Sequence, residues 1–363
     1  MRGYNDAVSS KMSYDDTEEP SLRCNEKIVF FVLLPIKSRL SFSDIADVVE
    51  LRADIHADSS AHITDFFTYR RIIREVSPDI VHTHGATVAR LAAKSLGIPT
   101  VMTRHCAYPV KLMNRFPFKQ MNSAVYTRFT DFCIATANAA AKNLTDMGVP
   151  SEKIRVIING VPKQKIISQD EKSKIKSLLG CEGYFIVGSV ARLEKEKGHK
   201  TIIDAARLLQ NERIRFLFFG DGRLDSELKE YAKGLDNVIF CGFKSDIFRY
   251  MNIFDISVNA SCGTETSCLA LSESMSLGIP CIASDYGGNP YMVSECGLVF
   301  PCGDARALSE RIIRVYRDRE LYKSLSEKSQ IRYEKDFTVD GMQREYNEVY
   351  KYVLGKAHEQ RIK

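Results

Sequence analysis

The sequence has no apolar run long enough to cross a bilayer. The longest, residues 28–36, is nine residues and contains Pro35, whereas a spanning helix needs roughly 20. It has no CxxC pair and no histidine cluster, so its ten cysteines offer neither a zinc site nor a redox motif. A chain of 363 residues does not depend on disulfide staples, and free thiols in a cytosol are the expectation. The opening stretch MRGYNDAVSSKMSYDDTEEP carries acidic residues and no apolar segment, which predicts no signal peptide and a cytoplasmic protein. Charge of one sign is also scarce. With 51 Lys and Arg against 46 Asp and Glu, the dispersed excess of +5 argues against a nucleic-acid partner and leaves room only for phosphates or anionic surfaces. There is no short-period repeat and no low-complexity tract.

What is present is enough for two ordinary domains, since 44% of the residues are hydrophobic. Short runs rich in Val, Ile and Phe alternate with amphipathic segments, the pattern of βα units around a parallel sheet. In the first half the strands are KIVFFVLL, DIVHTHG, TVMTRH and DFCIATA, with Phe66, Tyr69, Ile73 and Val76 at helical spacing between the first two. A second series starts near Tyr184 with YFIVGSVA, IRFLFFG, VIFCGF, DISVNAS and CIASD, and includes a helix from about Thr266 to Leu277. Everything after Asp304 reads as helix. The fold class is therefore α/β, with an N-terminal domain over 1–161, a lysine-rich linker over 162–182, a C-terminal domain over 183–340 and a last helix over 341–363 that packs back on the first domain.

The most informative segment is GTETSCLALSESMSLGIPCIASDYGG, residues 263–288. It joins a glycine turn, a helix start with hydroxyl residues, two glutamates eight positions apart and a glycine stop. A helix start directs unpaired N–H groups outward and favours an anion, and Gly263 and Thr264 would let the chain approach a diphosphate closely. At ~100° per residue, eight positions leave the glutamates about 80° apart. Glu265 then belongs to the loop and Glu273 to the helix, where they can grip different parts of one ligand through paired hydroxyls. Taken alone, such a pair also suits a capping carboxylate and a solvent-facing one. The second constellation is GSVARLEKEKGHK, residues 188–200, where Arg192 and Lys197 follow a strand and face the crevice in which open α/β sheets bind ligands. Surface charge is the alternative there, given Glu194, Lys195 and Glu196.

In this order and separation, the two segments resemble glycosyltransferase family 4, retaining enzymes of the GT-B fold. The elements ARLEKEKGH, FFGDG and DYGGNP, the glutamate pair, and SPDIVHTHG, GIPTVMTRH and IRVIINGV all match, over roughly residues 48–349. The resemblance implies two Rossmann-like domains with parallel sheets facing across a cleft. It also implies that Arg192 and Lys197 hold the donor phosphates, Glu273 the ribose and Glu265 the transferred sugar. Gly220, Phe243 and Lys244 would border the nucleotide, and His105 would match the histidine that faces the donor sugar. His82 and His84, two apart on one strand, share a face and are read as structural. The implied reaction is hexosyl transfer with retention from a UDP- or GDP-sugar to a growing cell-surface polysaccharide or lipid-linked glycan. The leaving diphosphate takes the proton, and neither a metal nor another cofactor is required.

Two departures stand out. Relatives begin with a strand and a glycine-rich loop, but PIKSRLSFSDI contains no glycine, so the N-terminal domain is read as missing its first βα unit, with a sheet edge exposed. Tyr291 also stands where an acidic residue is common in the family. Between Pro109 and Phe129, Lys111, Arg115, Lys119 and Arg128 sit among Phe and Met residues. Such a surface suits anionic lipid at the inner face of the cytoplasmic membrane, and equally an ordinary helix pair with a solvated basic edge. Two competing functions are a sugar-nucleotide-binding protein with impaired catalysis and a GT-B nucleotide-sugar epimerase. A dinucleotide oxidoreductase is weaker, because GDGRLD lacks the third glycine.

Overall fold

The computed structural model describes residues 28–32, 65–105, 118–263 and 265–362. The chain divides into two compact units, one built from residues up to Ile157 together with Gln343–Lys363, the other from Ile158–Met342. Each is a parallel sheet flanked by helices, as alternating apolar runs and amphipathic segments require.

In the first unit the sheet runs β1 (Ile28–Val32), β2 (Ile80–His84), β3 (Thr100–Arg104), β4 (Phe132–Ala135) and β5 (Ile154–Val156), paired in that order. The helices are α1 (Phe66–Val76), α2 (Thr87–Ser95), α3 (Phe118–Phe129) and α4 (Asn138–Asp146). Tyr69, Ile72 and Ile73 of α1 pack with Val88, Ala89, Ala92 and Ala93 of α2, the stripe that their spacing foreshadows. Strand β2 is buried along nearly its whole length. The expected loss of an opening βα unit falls on residues outside those described. So do Lys111 and Arg115 and the side chain of Lys119, while Arg128 is exposed in the last turn of α3.

The second unit begins with α5 (Gln169–Leu178), a helix inside the stretch read as linker. Its lysines hide the helical period because Ile175 is the residue it buries, and Ser168 caps it by accepting from the Glu171 N–H at 3.2 Å. The sheet then has the order β11-β10-β9-β6-β7-β8. Its strands are β6 (Phe185–Val190), β7 (Ile214–Phe219), β8 (Val238–Gly242), β9 (Ile256–Asn259), β10 (Cys281–Ser284) and β11 (Gly297–Phe300). Between them lie α6 (His199–Leu208), α7 (Asp225–Tyr231), α8 (Ile247–Met251), α9 (Leu269–Ser276) and α10 (Asn289–Val293). Phe216 and Phe218 of β7 point into a core shared with Ile202, Ile203, Leu308 and Ile312. The helices α11 (Ala305–Arg317), α12 (Arg319–Asp336) and α13 (Val339–Ile362) complete the chain. Asp304 and Asp318 cap α11 and α12 through their carboxylates.

The chain passes between the units twice, after Ile157 and after Met342. Inside the second unit these two passages are fastened together. Val161 bridges Thr338, its N–H donates to the Phe337 carbonyl at 2.9 Å, and Tyr333 Oη donates to the Val161 carbonyl at 3.0 Å.

The structure differs from the expectation of free thiols at one pair. The loops leaving β9 and β11 bring the Cα atoms of Cys262 and Cys302 to 5.8 Å, and a disulfide joins them. Helix α9 also starts later than Thr266. Its N-cap is Cys268, and the residues before it are gripped by the glycines described below, Gly287 against the Glu265 carbonyl and Gly288 against that of Thr266.

Candidate functional site

In a parallel sheet all strands end at one edge. The loops leaving β6, β7, β9 and β10 at that edge carry the residues singled out from the sequence, and missing Cβ atoms interlock them. A side chain on Gly198, whose φ of 68° is left-handed, would lie 2.0 Å from the Ala260 carbonyl oxygen. A Cβ on Gly263 would meet Glu196 Cβ at 2.2 Å, so this glycine serves the contact between the β6 and β9 loops. Gly288 lets the β10 loop close on the Thr266 carbonyl, which would lie 1.7 Å from an added Cβ, and its N–H donates to the Glu265 carbonyl at 3.2 Å. Gly220, at φ 134°, approaches the Ala191 carbonyl in the same way. Its N–H donates to the Gly242 carbonyl at 3.0 Å, which places Phe243 and Lys244 beside it at the end of β8. Phe243 is exposed, and the Lys244 ammonium lies 5.6 Å from the centre of the Tyr250 ring.

This scaffold brings Lys197 and Glu265 together. The ammonium donates to Glu265 Oε2 at 2.7 Å, with Glu265 only 7% exposed. The same oxygen accepts from Ser261 Oγ at 2.9 Å and from Asn259 Nδ2 at 3.5 Å, so the partners converge on one oxygen. Asn289 fixes Asn259 in turn, donating to its Oδ1 at 3.2 Å and to Ser284 Oγ at 3.0 Å. Burial pulls the Lys197 ammonium down, but the Glu265 carboxylate outweighs it and the net displacement is upward. The lysine is therefore a cation at every physiological pH. Arg192 is half exposed, sits 3.8 Å from Glu196 and adds a second positive charge that Lys197 feels.

Glu273 lies within α9, separate from that pair, as the helical reading of the spacing requires. Burial raises its carboxyl to about 7. It is thus poised to accept hydroxyl hydrogen bonds when ionised, at a cost that a ligand must offset. The N-cap of α9 is Cys268, which brings no polar oxygen to the first turn. Just before it, Ser267 Oγ is buried without a hydrogen-bond partner among the described residues. The hydroxyl run at the helix start signalled this residue without singling it out. His199, at the start of α6, was not selected from the sequence; burial, with Lys197 nearby, lowers its imidazole to about 4 and keeps it neutral. Thr264 lies outside the described residues. His105 belongs to the first unit, one residue beyond β3, with its Nε2 2.5 Å from His84 Nδ1.

Two family models match in tandem: Glycosyltransferase Family 4 over residues 29–165, and Glycosyl transferases group 1 over 170–332. The putative glycosyltransferase EpsD of Bacillus subtilis is 30% identical over 300 residues, covering 75% of this chain and 77% of that protein. The chain belongs to glycosyltransferase family 4. As a member of family 4 it is an enzyme, a glycosyltransferase. The Escherichia coli UDP-Gal:alpha-D-GlcNAc-diphosphoundecaprenol alpha-1,3-galactosyltransferase is 27% identical, covering 69% of this chain and 70% of that one. Anabaena HepE, crystallised with UDP and glucose, superimposes with a TM-score of 0.73 at 20% identity over 90% of this chain and 99% of its own, which shows the same fold. This glycosyltransferase is thus built on two parallel-sheet α/β units of the GT-B class.

Proposed function

We propose that the chain transfers a hexosyl group, with retention, from a UDP- or GDP-sugar to a glycan or lipid-linked acceptor in the assembly of a cell-surface polysaccharide. The observation that carries this reading is the buried Lys197–Glu265 pair, held by interlocked loops at the carboxyl edge of the second sheet. In this reading Lys197 and Arg192 take up the charge of the departing diphosphate, aided by the start of α9 and the Ser267 hydroxyl. One such donor is typically worth ~100–1,000-fold in rate. Glu265 receives hydroxyls of the transferred sugar beside the Lys197 ammonium, and Glu273 receives those of the ribose. His105 contacts the sugar, the role that the family match implies for it. As the bond from C1 to the phosphate oxygen breaks, the acceptor oxygen bonds to C1 on the same face, and its proton passes to the leaving diphosphate.

UDP as the nucleotide and a lipid diphosphate as the acceptor are favoured by what the E. coli relative's name and the HepE complex state of those proteins. Such an acceptor would place the enzyme at a membrane surface, and no helix among the described residues is long and apolar enough to cross one. The test is binding and hydrolysis of UDP-, GDP- and ADP-sugars by the purified chain and by Lys197→Ala. Donor hydrolysis that Lys197→Ala lowers by about 100-fold or more supports the reading, whereas equal rates in both proteins refute it. Sedimentation with anionic liposomes checks the surface, and salt-insensitive or absent binding removes it.

A further inference from the structure

The first unit contains a column of three imidazoles. His82 and His84 project from the same face of β2, and the pairing of β2 with β3 brings Thr103 and His105 beside them. His82 stacks on His84 with centroids 4.9 Å apart and planes 19° apart, and the His84 and His105 rings, with centroids 4.8 Å apart and planes 16° apart, meet edge to edge in nearly one plane. His84 Nδ1 and His105 Nε2 are 2.5 Å apart, so one carries the proton and the other accepts it. Below them His82 is anchored at both nitrogens, to Tyr350 Oη at 2.8 Å and to Thr103 Oγ1 at 2.8 Å. Tyr346 Oη reaches Thr103 Oγ1 at 3.5 Å. Both tyrosines belong to α13, and the buried Arg90 lies across β2 from the column, bonded to Thr83 Oγ1 at 2.8 Å on the opposite face.

We propose that His84 is a positioning residue for His105, holding that ring in one tautomer and one orientation through the contact between Nδ1 and Nε2. The proposal rests on the reading above in which His105 contacts the transferred sugar. A solitary imidazole beyond a strand end can turn over and exchange its proton between nitrogens. Bonded to a neighbour that is itself stacked on an anchored ring, it cannot do so without breaking the column. Among the described residues Thr103, Tyr346 and Tyr350 face the column and Arg90 lies across the strand from it, and none of these four offers a negative charge that would stabilise an imidazolium. Burial, then His105, takes His84 to about 3; burial, then His84, His105 and Arg90, takes His82 well below its ordinary value; burial lowers His105. The column is therefore neutral at neutral pH, and each neutral ring has one donor and one acceptor nitrogen, which a chain of hydrogen bonds can align.

The test compares the full chain with His84→Phe, His84→Asn and His105→Ala, using 15N-histidine spectra to read the tautomer and donor kinetics to separate kcat from KM. Phenylalanine keeps the stacked ring and removes the nitrogen, while asparagine restores a hydrogen-bonding group near the Nδ1 position. The expected result is a single His105 tautomer in the parent and tautomer exchange in His84→Phe. Its kcat should fall roughly 10–100-fold with little change in donor KM, and His84→Asn should recover much of that loss. If His84→Phe leaves the His105 nitrogen signals as in the parent, or if asparagine rescues neither signals nor kcat, His84 is merely structural and the proposal is overturned. If His105→Ala transfers sugar at the parent rate, the role of His105 is overturned and the proposal with it, whatever the nitrogen spectra show.

Discussion

Glu273→Gln should make the protein more stable and worse at binding its donor, and both effects should depend on pH. In the structure burial raises this carboxyl from 4.5 to about 7. Below about 4.5 the folded and unfolded chains both hold the proton and no penalty exists. As pH rises from there towards 7, the unfolded chain releases the proton that the folded chain keeps, so stability falls, and above 7 the full penalty is present. The separation of pKa values, allowing for the residue's partial exposure, corresponds to about 2–3 kcal/mol. For a unit of this size that is roughly 5–10 °C in Tm. The glutamine variant should therefore melt higher by that amount at pH 8.5 and unchanged at pH 4.5. Calorimetric titration with UDP should show affinity at pH 8.5 reduced by roughly 10–100-fold, the value of hydrogen bonds to an ionised acceptor. In the parent protein, affinity should drop as pH falls below 7, because the carboxylate must form to receive the ribose. A gain in Tm equal at both pH values would refute the desolvation argument. Undiminished UDP affinity in the variant would refute the ribose assignment.

Removing Lys197 leaves the Glu265 carboxylate buried beside two neutral donors. Lys197→Met should lose up to about 3 kcal/mol of stability by denaturant titration and about 100-fold or more in transfer. Gly288→Ala should abolish donor binding, since its Cβ would lie 1.7 Å from the Thr266 oxygen. The control, Gly355→Ala in the open on α13, should be neutral or stabilising by up to about 1 kcal/mol, and equal melting curves for the two variants would contradict the interlock. Peptide mapping without reductant should recover Cys262 linked to Cys302. Because the bond closes a separation of 40 residues, its reduction should lower stability by at most about 4 kcal/mol.

The strands were legible because each is a short apolar run ending in a turn residue, and the glutamate pair because its spacing is local. The missed elements lacked such signals. Strand β11, GLVF, is short and half-buried without alternation, and α5 buries only Ile175 beneath its lysines. The later start of α9 is imposed from outside, by Gly287 and Gly288 closing on residues 265 and 266. Pairings between loops have no local trace at all. Cys262 meets Cys302, Lys197 meets Glu265 and His84 meets His105 only because parallel strands deliver their ends to one edge. The reading of His82 and His84 as a structural pair holds for His82, whose two nitrogens are anchored, while His84 faces the end of β3.

The return of the last helix to the first unit imposes an order of events on a ribosome. Residues Ile158–Met342 form a whole unit, and at about 5–20 residues per second their synthesis takes roughly 10–40 s. During that interval the first unit already owns its strands and the three histidines of the column but lacks Tyr346 and Tyr350, the groups that close over His82 and Thr103. The second unit can mature first, and the first is finished only once residues 343–363 have been made. Helix α13 thus acts as a completion mark: a polypeptide broken off before Tyr346 carries nearly the whole second unit and still lacks the tyrosines that hold His82 and Thr103 in the first.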